Sequence, residues 1–200
     1  MRSNSKRMKR LCVYCGSGSG RDPRFVAAAR TLGRAMAEAG IGLVYGGGGN
    51  GLMGAVAGAV HDHGGHVTGI IPSSLLKLEN ALENVNKRFV TNGFHERKMR
   101  MFNLSDGFVA LPGGVGTLEE LVEQLTWAQL GHHDKPIFIV NIAGYWDLLL
   151  QTFERMREQQ FIRPGLDVPY IIVDEAEDVV PQFLKRLPAE RAAASGLMSS

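Results

Sequence analysis

Short apolar runs such as LCVYCG, IGLVYGG, GFVALPGG and PIFIVN alternate along this chain with stretches of helical spacing. Runs apolar on both faces need cover on both faces, so they belong in a parallel sheet between two helical layers. That alternation predicts an α/β fold, a single Rossmann-like doubly wound domain with a mostly parallel sheet and helices on both faces. The strands expected in order are LCVYCG, IGLVYGG, HVTGIIP, RFVTN, GFVALPGG, PIFIVN and PYIIVD. DPRFVAAARTLGRAMAEAG reads as the first helix, with Asp22 as its cap, Pro23 in its first turn and Gly40 past its end. Residues 73 to 87 are ambiguous between loop and helix.

At 200 residues, with 44% apolar and 21% charged residues, the chain suits one compact domain. Residues 1–10 read as a basic flexible head, 11–187 as the nucleotide-binding catalytic domain and 188–200 as a flexible tail. The net charge is only +2 and no basic residues interleave with aromatics after the head, so a nucleic-acid partner is not expected. No apolar run approaches the ~20 residues of a membrane span, and a cytoplasmic protein without membrane attachment is expected. Cys12 and Cys15 have redox-motif spacing. Inside a strand, however, residues three apart face opposite sides, which disfavours a local disulfide. The histidines at 61, 63 and 66 and at 132 and 133 lack a convincing carboxylate or thiolate set beside them, so no metal site is expected.

Three strand-to-helix turns are rich in small residues: CGSGSG, YGGGGNGLMG and LPGGVGT. In a parallel sheet these turns meet along one edge, where such folds bind ligands. Glycine lets a ligand approach closely, and helix-start amides attract anions. A phosphate-containing ligand is therefore expected, with Ser17 in the first turn and Gly46 and Gly47 in the second among its contacts. Gly46, Gly48 and Gly51 match G-x-G-x-x-G. The match follows the second strand rather than the first and lacks the acidic residue ~20 positions on, which disfavours a dinucleotide dehydrogenase. No G-x-x-x-x-G-K-[ST] loop is present, which disfavours an ATPase.

Glu119 and Glu120 follow the third turn, on a helix expected to start near Thr117. Acids in a first helical turn complement the helix dipole. Neighbouring residues lie about a hundred degrees apart around a helix, so only one of the two can lean over the ligand edge. A carboxylate beside a phosphate repels it, unless the substrate becomes cationic during reaction. Cleaving a ribose carbon from a base nitrogen passes through such an oxocarbenium-like state. The segment HERKMRM adds Arg97 and Lys98, which can reach the same edge. An arginine there binds and orients, since it does not give up its proton.

Four segments together resemble the Lonely Guy family of cytokinin riboside 5′-monophosphate phosphoribohydrolases. PGGVGTLEE fits its PGGxGTxxE signature, YGGGGNGLMG its YGGGxxGLMG segment, CGSGSG its first turn and HERKMRM its MHxRKxxM segment. The resemblance implies hydrolysis of the N-glycosidic bond of adenosine 5′-monophosphate or its N6-substituted forms, releasing free base and ribose 5-phosphate with no cofactor. It implies that Arg97 and Glu120 are catalytic, and that Gly113, Gly114, Gly116 and Thr117 bind phosphate. It also implies a homodimer or larger homo-oligomer with the active site near the interface. One departure stands out: Phe94 occupies the position where the family commonly has methionine. The alternative is a nucleotide-binding or carrier protein of the same fold without catalysis. "Lysine decarboxylase", a label some members carry, gains no support from the sequence.

Overall fold

The computed structural model describes residues 7–76, 80 and 85–187. Its strands are β1 (Arg10–Tyr14), β2 (Gly42–Tyr45), β3 (Val67–Pro72), β4 (Lys87–Thr91), β5 (Gly107–Ala110), β6 (Ile137–Val140) and β7 (Ile171–Val173). They form one sheet in the order β4-β3-β2-β1-β5-β6-β7, and every pairing is parallel. The chain builds outward from β1 in one direction as far as β4, then returns to β5 and builds the other way. The turns after β1 and β5 are thus adjacent, at the point where strand order reverses.

The helices are α1 (Pro23–Glu38), α2 (Gly51–Asp62), α3 (Phe94–Leu104), α4 (Val115–Gln129), α5 (Asp147–Glu158) and α6 (Val179–Arg186). Two buried clusters lie on opposite faces of the sheet. Leu11, Val13, Leu43 and Val109 pack with Leu32, Val56 and Phe183 from α1, α2 and α6. Cys12, Tyr14, Val44 and Phe108 pack with Met101, Leu121 and Phe153 from α3, α4 and α5. The doubly wound architecture is therefore the one expected from strands apolar on both faces. Cys12 and Cys15 fall in different clusters and both are free thiols.

Local signals set the ends of α1. Asp22 accepts a hydrogen bond from the Arg24 amide at 2.9 Å, and Pro23 opens the helix. The basic head is partly ordered: β1 begins at Arg10, and Arg7 and Lys9 both pair with Asp106. Residues 1–6 and 188–200, which carry the rest of the flexible-head and flexible-tail expectation, lie outside the described residues. Of the ambiguous stretch, 73–75 form a 3-10 turn and β4 starts at Lys87, while 77–79 and 81–84 lie outside the described residues. No described helix is long and apolar enough to cross a membrane.

Packing places α3 and α4 over the sheet's carboxyl edge. Phe102 of α3 stacks on Phe108 of β5, which stacks in turn on Tyr14 of β1. Met101, fully buried, and Arg97 are four apart and share one face of α3. On the other layer, α1 and α2 pack so closely that a Cβ on Gly33 would stand 2.6 Å from the Val56 carbonyl oxygen and 2.8 Å from the Ala59 methyl. Alanine has the higher helix propensity, yet overpacking of this kind costs about 1–3 kcal/mol. Gly33→Ala is expected to lower stability by about that amount in urea unfolding; an unchanged or raised midpoint would contradict this packing.

Candidate active site

The three glycine turns meet as expected, but they differ in what they offer an anion. Gly16 after β1 donates its amide to the Pro112 carbonyl at 3.1 Å, joining the first turn to the third. The Gly16 carbonyl then accepts from Leu52 at 3.0 Å and Met53 at 3.3 Å, which occupies the first amides of α2. The start of α1 is already filled by the Asp22 carboxylate. Helix α4 is different. It has no side-chain cap, and its first amide paired along the helix is Leu118, which donates to Gly114. Its three leading amides, at Val115, Gly116 and Thr117, are those a helix start leaves free. Of the three turns, the last is the one whose helix-start amides have no partner among the described residues, the arrangement that attracts an anion.

Because α4 begins at Val115, two residues before the expected start, its first turn contains no acid. Glu119 and Glu120 lie in the second turn, where the dipole account of their presence no longer applies. Their surroundings differ sharply. Glu120 belongs to the buried stripe Thr117, Glu120, Leu121, Gln124 and Leu125, and is 8% exposed. Glu119 points off that stripe, and its side chain is 54% exposed.

Arg97 is the partner of Glu120. Its Nη1 stands 3.4 Å from Glu120 Oε1, and its Nε donates to the Ile70 carbonyl of β3 at 3.2 Å. The guanidinium lies against Gly46, where a Cβ would come within 2.3 Å of Nη2. Gly46 therefore makes room for the arginine as well as lining the site. The resulting cavity, of about 360 Å³, is walled by Gly16, Ser17, Gly46, Arg97, the start of α4 from Gly114 to Thr117, and Glu120. Met53, Leu75 and Phe94 supply apolar wall; Met53 stands in the first turn of α2 and Leu75 in a short 3-10 turn, and nothing in the sequence pattern singles out either as a site residue. A larger cavity of about 480 Å³ between α1 and α2 holds Arg30, Arg34 and Asp62, but neither member of the pair. Chemistry, not size, selects the site.

A family model described as "Possible lysine decarboxylase" matches residues 53–183. The cytokinin riboside 5′-monophosphate phosphoribohydrolase LOG of Oryza sativa subsp. japonica is 50% identical over 182 residues, which cover 91% of this chain and 75% of that protein. The corresponding LOG3 of Arabidopsis thaliana is 42% identical over 191 residues, covering 96% and 89%. Among solved structures, the molybdenum cofactor binding protein of Rippkaea orientalis superposes with a TM-score of 0.68 at 25% identity, over 90% of this chain and 98% of its own. The chain belongs to the Lonely Guy family. No lysine lines the cavity among the described residues.

Three of the expected contacts stand elsewhere. Lys98 is turned away from the cavity: its ammonium pairs with Glu119 and, at 2.9 Å, with Glu123, tying α3 to α4 from outside. The edge anticipated for both cations receives Arg97 alone, because adjacent residues on α3 face different ways. Gly47 is buried behind the wall, with φ of 81° and the Ile71 side chain 2.9 Å from where a Cβ would stand, so it serves the turn. Gly113 lines a neighbouring cavity; a Cβ on it would strike Thr117 Oγ1 and the Gly16 amide. Gly114 and Gly116 have open space where a Cβ would be.

Burial pushes the Glu120 carboxyl up to about 7 from 4.5; Arg97 pulls it down and Glu119 pushes it further up. Between these two values the folded protein holds a proton that the unfolded chain has released, so this group makes stability fall as pH rises. Glu120→Gln should therefore raise unfolding stability by roughly 2–3 kcal/mol at pH 8 and above, with the gain vanishing near pH 4.5. Urea titrations at several pH values test this, and a gain independent of pH would contradict it. Gly116→Ala should keep or slightly raise stability, by up to ~1 kcal/mol. It should also weaken nucleotide binding about tenfold or more, because the methyl enters the phosphate space; unaltered affinity in titration calorimetry would remove Gly116 from the site.

Proposed function

We propose that this protein hydrolyses the N-glycosidic bond of adenosine 5′-monophosphate and its N6-substituted forms, releasing adenine or a free cytokinin and ribose 5-phosphate. The observation that carries the reading is a carboxylate–guanidinium pair one helical turn from three helix-start amides that have no partner among the described residues. The phosphate sits on the amides at Val115 to Thr117, with the Thr117 hydroxyl beside them. The ribose then lies along the first turns of α4, with its anomeric carbon toward Glu120. As the bond to the base nitrogen breaks, its electron pair leaves with the base and positive charge grows on the sugar. Glu120 stabilises that charge, and water adds to the anomeric carbon while its proton ends on the base. Arg97 orients Glu120 and the sugar. Met53, Leu75 and Phe94 offer apolar surface to the base and its N6 group. The names of the curated relatives, at 42% and 50% identity, support the same activity.

A carboxyl that titrates near neutrality suits this cycle. Its neutral form tolerates the incoming dianion, and its ionised form favours the cationic transition state, which is the condition for raising kcat. The same reading includes a second copy of the chain at the mouth of the site, since Phe94 is 53% and Val115 82% exposed there. It also includes a cytoplasmic location, in keeping with two buried free thiols.

Adenine release from AMP and from isopentenyladenosine monophosphate, each beside its bare nucleoside, tests the reading and separates it from a carrier without catalysis. The nucleotides should be cleaved and the nucleosides not. Glu120→Gln should lower kcat by ~10²–10³ while AMP still binds, whereas Glu119→Gln costs little. Arg97→Lys should also fail, because an ammonium does not reproduce the planar fork. In the unaltered enzyme kcat/KM should fall below about pH 7. Comparable turnover of adenosine and AMP, or normal turnover by Glu120→Gln, would overturn the proposal.

A further inference from the structure

A second cavity, of about 310 Å³, adjoins the candidate active site and has no part in the reaction described above. It lies at the same carboxyl edge, in the crevice between the β1 and β5 turns where strand order reverses. The two cavities share the backbone of Gly16, Ser17 and Gly114 as their common wall. Beyond that wall the second cavity has a different character. Among the described residues no charged side chain lines it; its floor is Leu52 and Pro112, and its sides are Phe25 and Tyr145. The two rings meet edge to face with centroids 5.4 Å apart.

This chamber is held in shape. Tyr145 donates its hydroxyl to the Gly113 carbonyl at 2.5 Å, which ties the ring to the turn that leads into α4. Phe25 lies against Gly20, where a Cβ would stand 2.7 Å from the ring. Between the chambers, by contrast, there is room. A Cβ on Gly114, on the shared wall, would meet nothing within 4 Å, and nor would one on Gly18, which lines the second chamber alone. A phosphate on the α4 amides therefore sits beside the divide, with the glycosidic chemistry on one side and an uncharged aromatic chamber on the other. A nucleoside monophosphate fills only the first.

We propose that the second chamber is a binding subsite for a group attached beyond the phosphate, so that the protein also takes adenosine 5′-diphosphate esters: pyrophosphate-linked nucleotides bearing a second ribose or nucleoside. The inference rests on the reading that places the phosphate on α4. The pyrophosphate spans the Gly114 divide, the adenosine half occupies the Glu120 chamber, and the distal ribose or ring packs on Phe25 and Tyr145. Aromatic faces with neutral surroundings suit such a moiety and give no purchase to a further anion.

Titration calorimetry with AMP, ADP-ribose and a nicotinamide dinucleotide, on the Glu120→Gln protein so that hydrolysis does not interfere, tests the subsite. ADP-ribose is expected to bind at least as tightly as AMP. Gly18→Leu, which fills the second chamber from an open backbone position, should weaken ADP-ribose about tenfold or more. The same change in the otherwise unaltered enzyme should leave AMP affinity and adenine release from AMP unchanged. Phe25→Leu should act in the same direction, and a thermal melt checks that it folds. If AMP binds and is cleaved but ADP-ribose is excluded, or if Gly18→Leu affects both ligands alike, the subsite is wrong while the active-site reading stands. If neither ligand binds, both fail. If ADP-ribose binds in a Gly18-dependent way and AMP is not cleaved, the subsite stands and the hydrolase reading fails.

Discussion

A carboxylate and a guanidinium share a nearly dry place at the carboxyl edge of the sheet, and much of the surrounding structure makes that arrangement possible. Removing either charge from water is expensive, and a buried pair repays that only with good geometry and further hydrogen bonds. Arg97 meets the condition by also donating to the Ile70 carbonyl and lying flat on Gly46. Glu120 meets it less fully. It keeps one guanidinium partner at 3.4 Å, and burial holds its proton to near neutral pH. An under-compensated carboxylate favours positive charge placed beside it.

The same constraint explains the aromatic packing beneath the site. Arg97 can reach β3 only if α3 is fixed along its length, and the ladder of Tyr14, Phe108 and Phe102 with buried Met101 fixes it. Lys98, Glu119 and Glu123 join α3 to α4 beside the cavity, so the two helices that bring the pair together are also tied by charge. Only Glu119 of this triad is well exposed; the Lys98 side chain is 12% and that of Glu123 21% exposed. The triad holds the spacing between the two helices.

Glycine plays several distinct parts along one edge. At Gly46 the missing side chain seats an arginine; at Gly113 it lets the third turn slide between Gly16 and Thr117; at Gly114 and Gly116 it leaves space that nothing in the described protein fills. Of these positions only Gly114 and Gly116 border open space. Three glycine turns on one edge thus overstate the anion-binding surface, because the carbonyl of Gly16 occupies the amides that open α2.

The sequence by itself determined the layers. Runs apolar on both faces require helical cover on both faces, and that alone fixes a doubly wound parallel sheet with its glycine turns on one edge. It also narrowed the candidate carboxylate to Glu119 or Glu120 without choosing between them, because at about 100° per residue the two stand comparably far around the helix from Leu121 and Leu125. Tertiary structure decided the rest. Whether Lys98 or Arg97 enters the site depends on the rotation of α3, which Met101 and Phe102 set by packing against β1 and β5. Whether a helix start is free for an anion depends on which carbonyl approaches it, and the Gly16 carbonyl reaches α2 only after β1 and β2 have paired. Local sequence specifies what each segment can offer; long-range packing decides which of those offers remain open to a ligand.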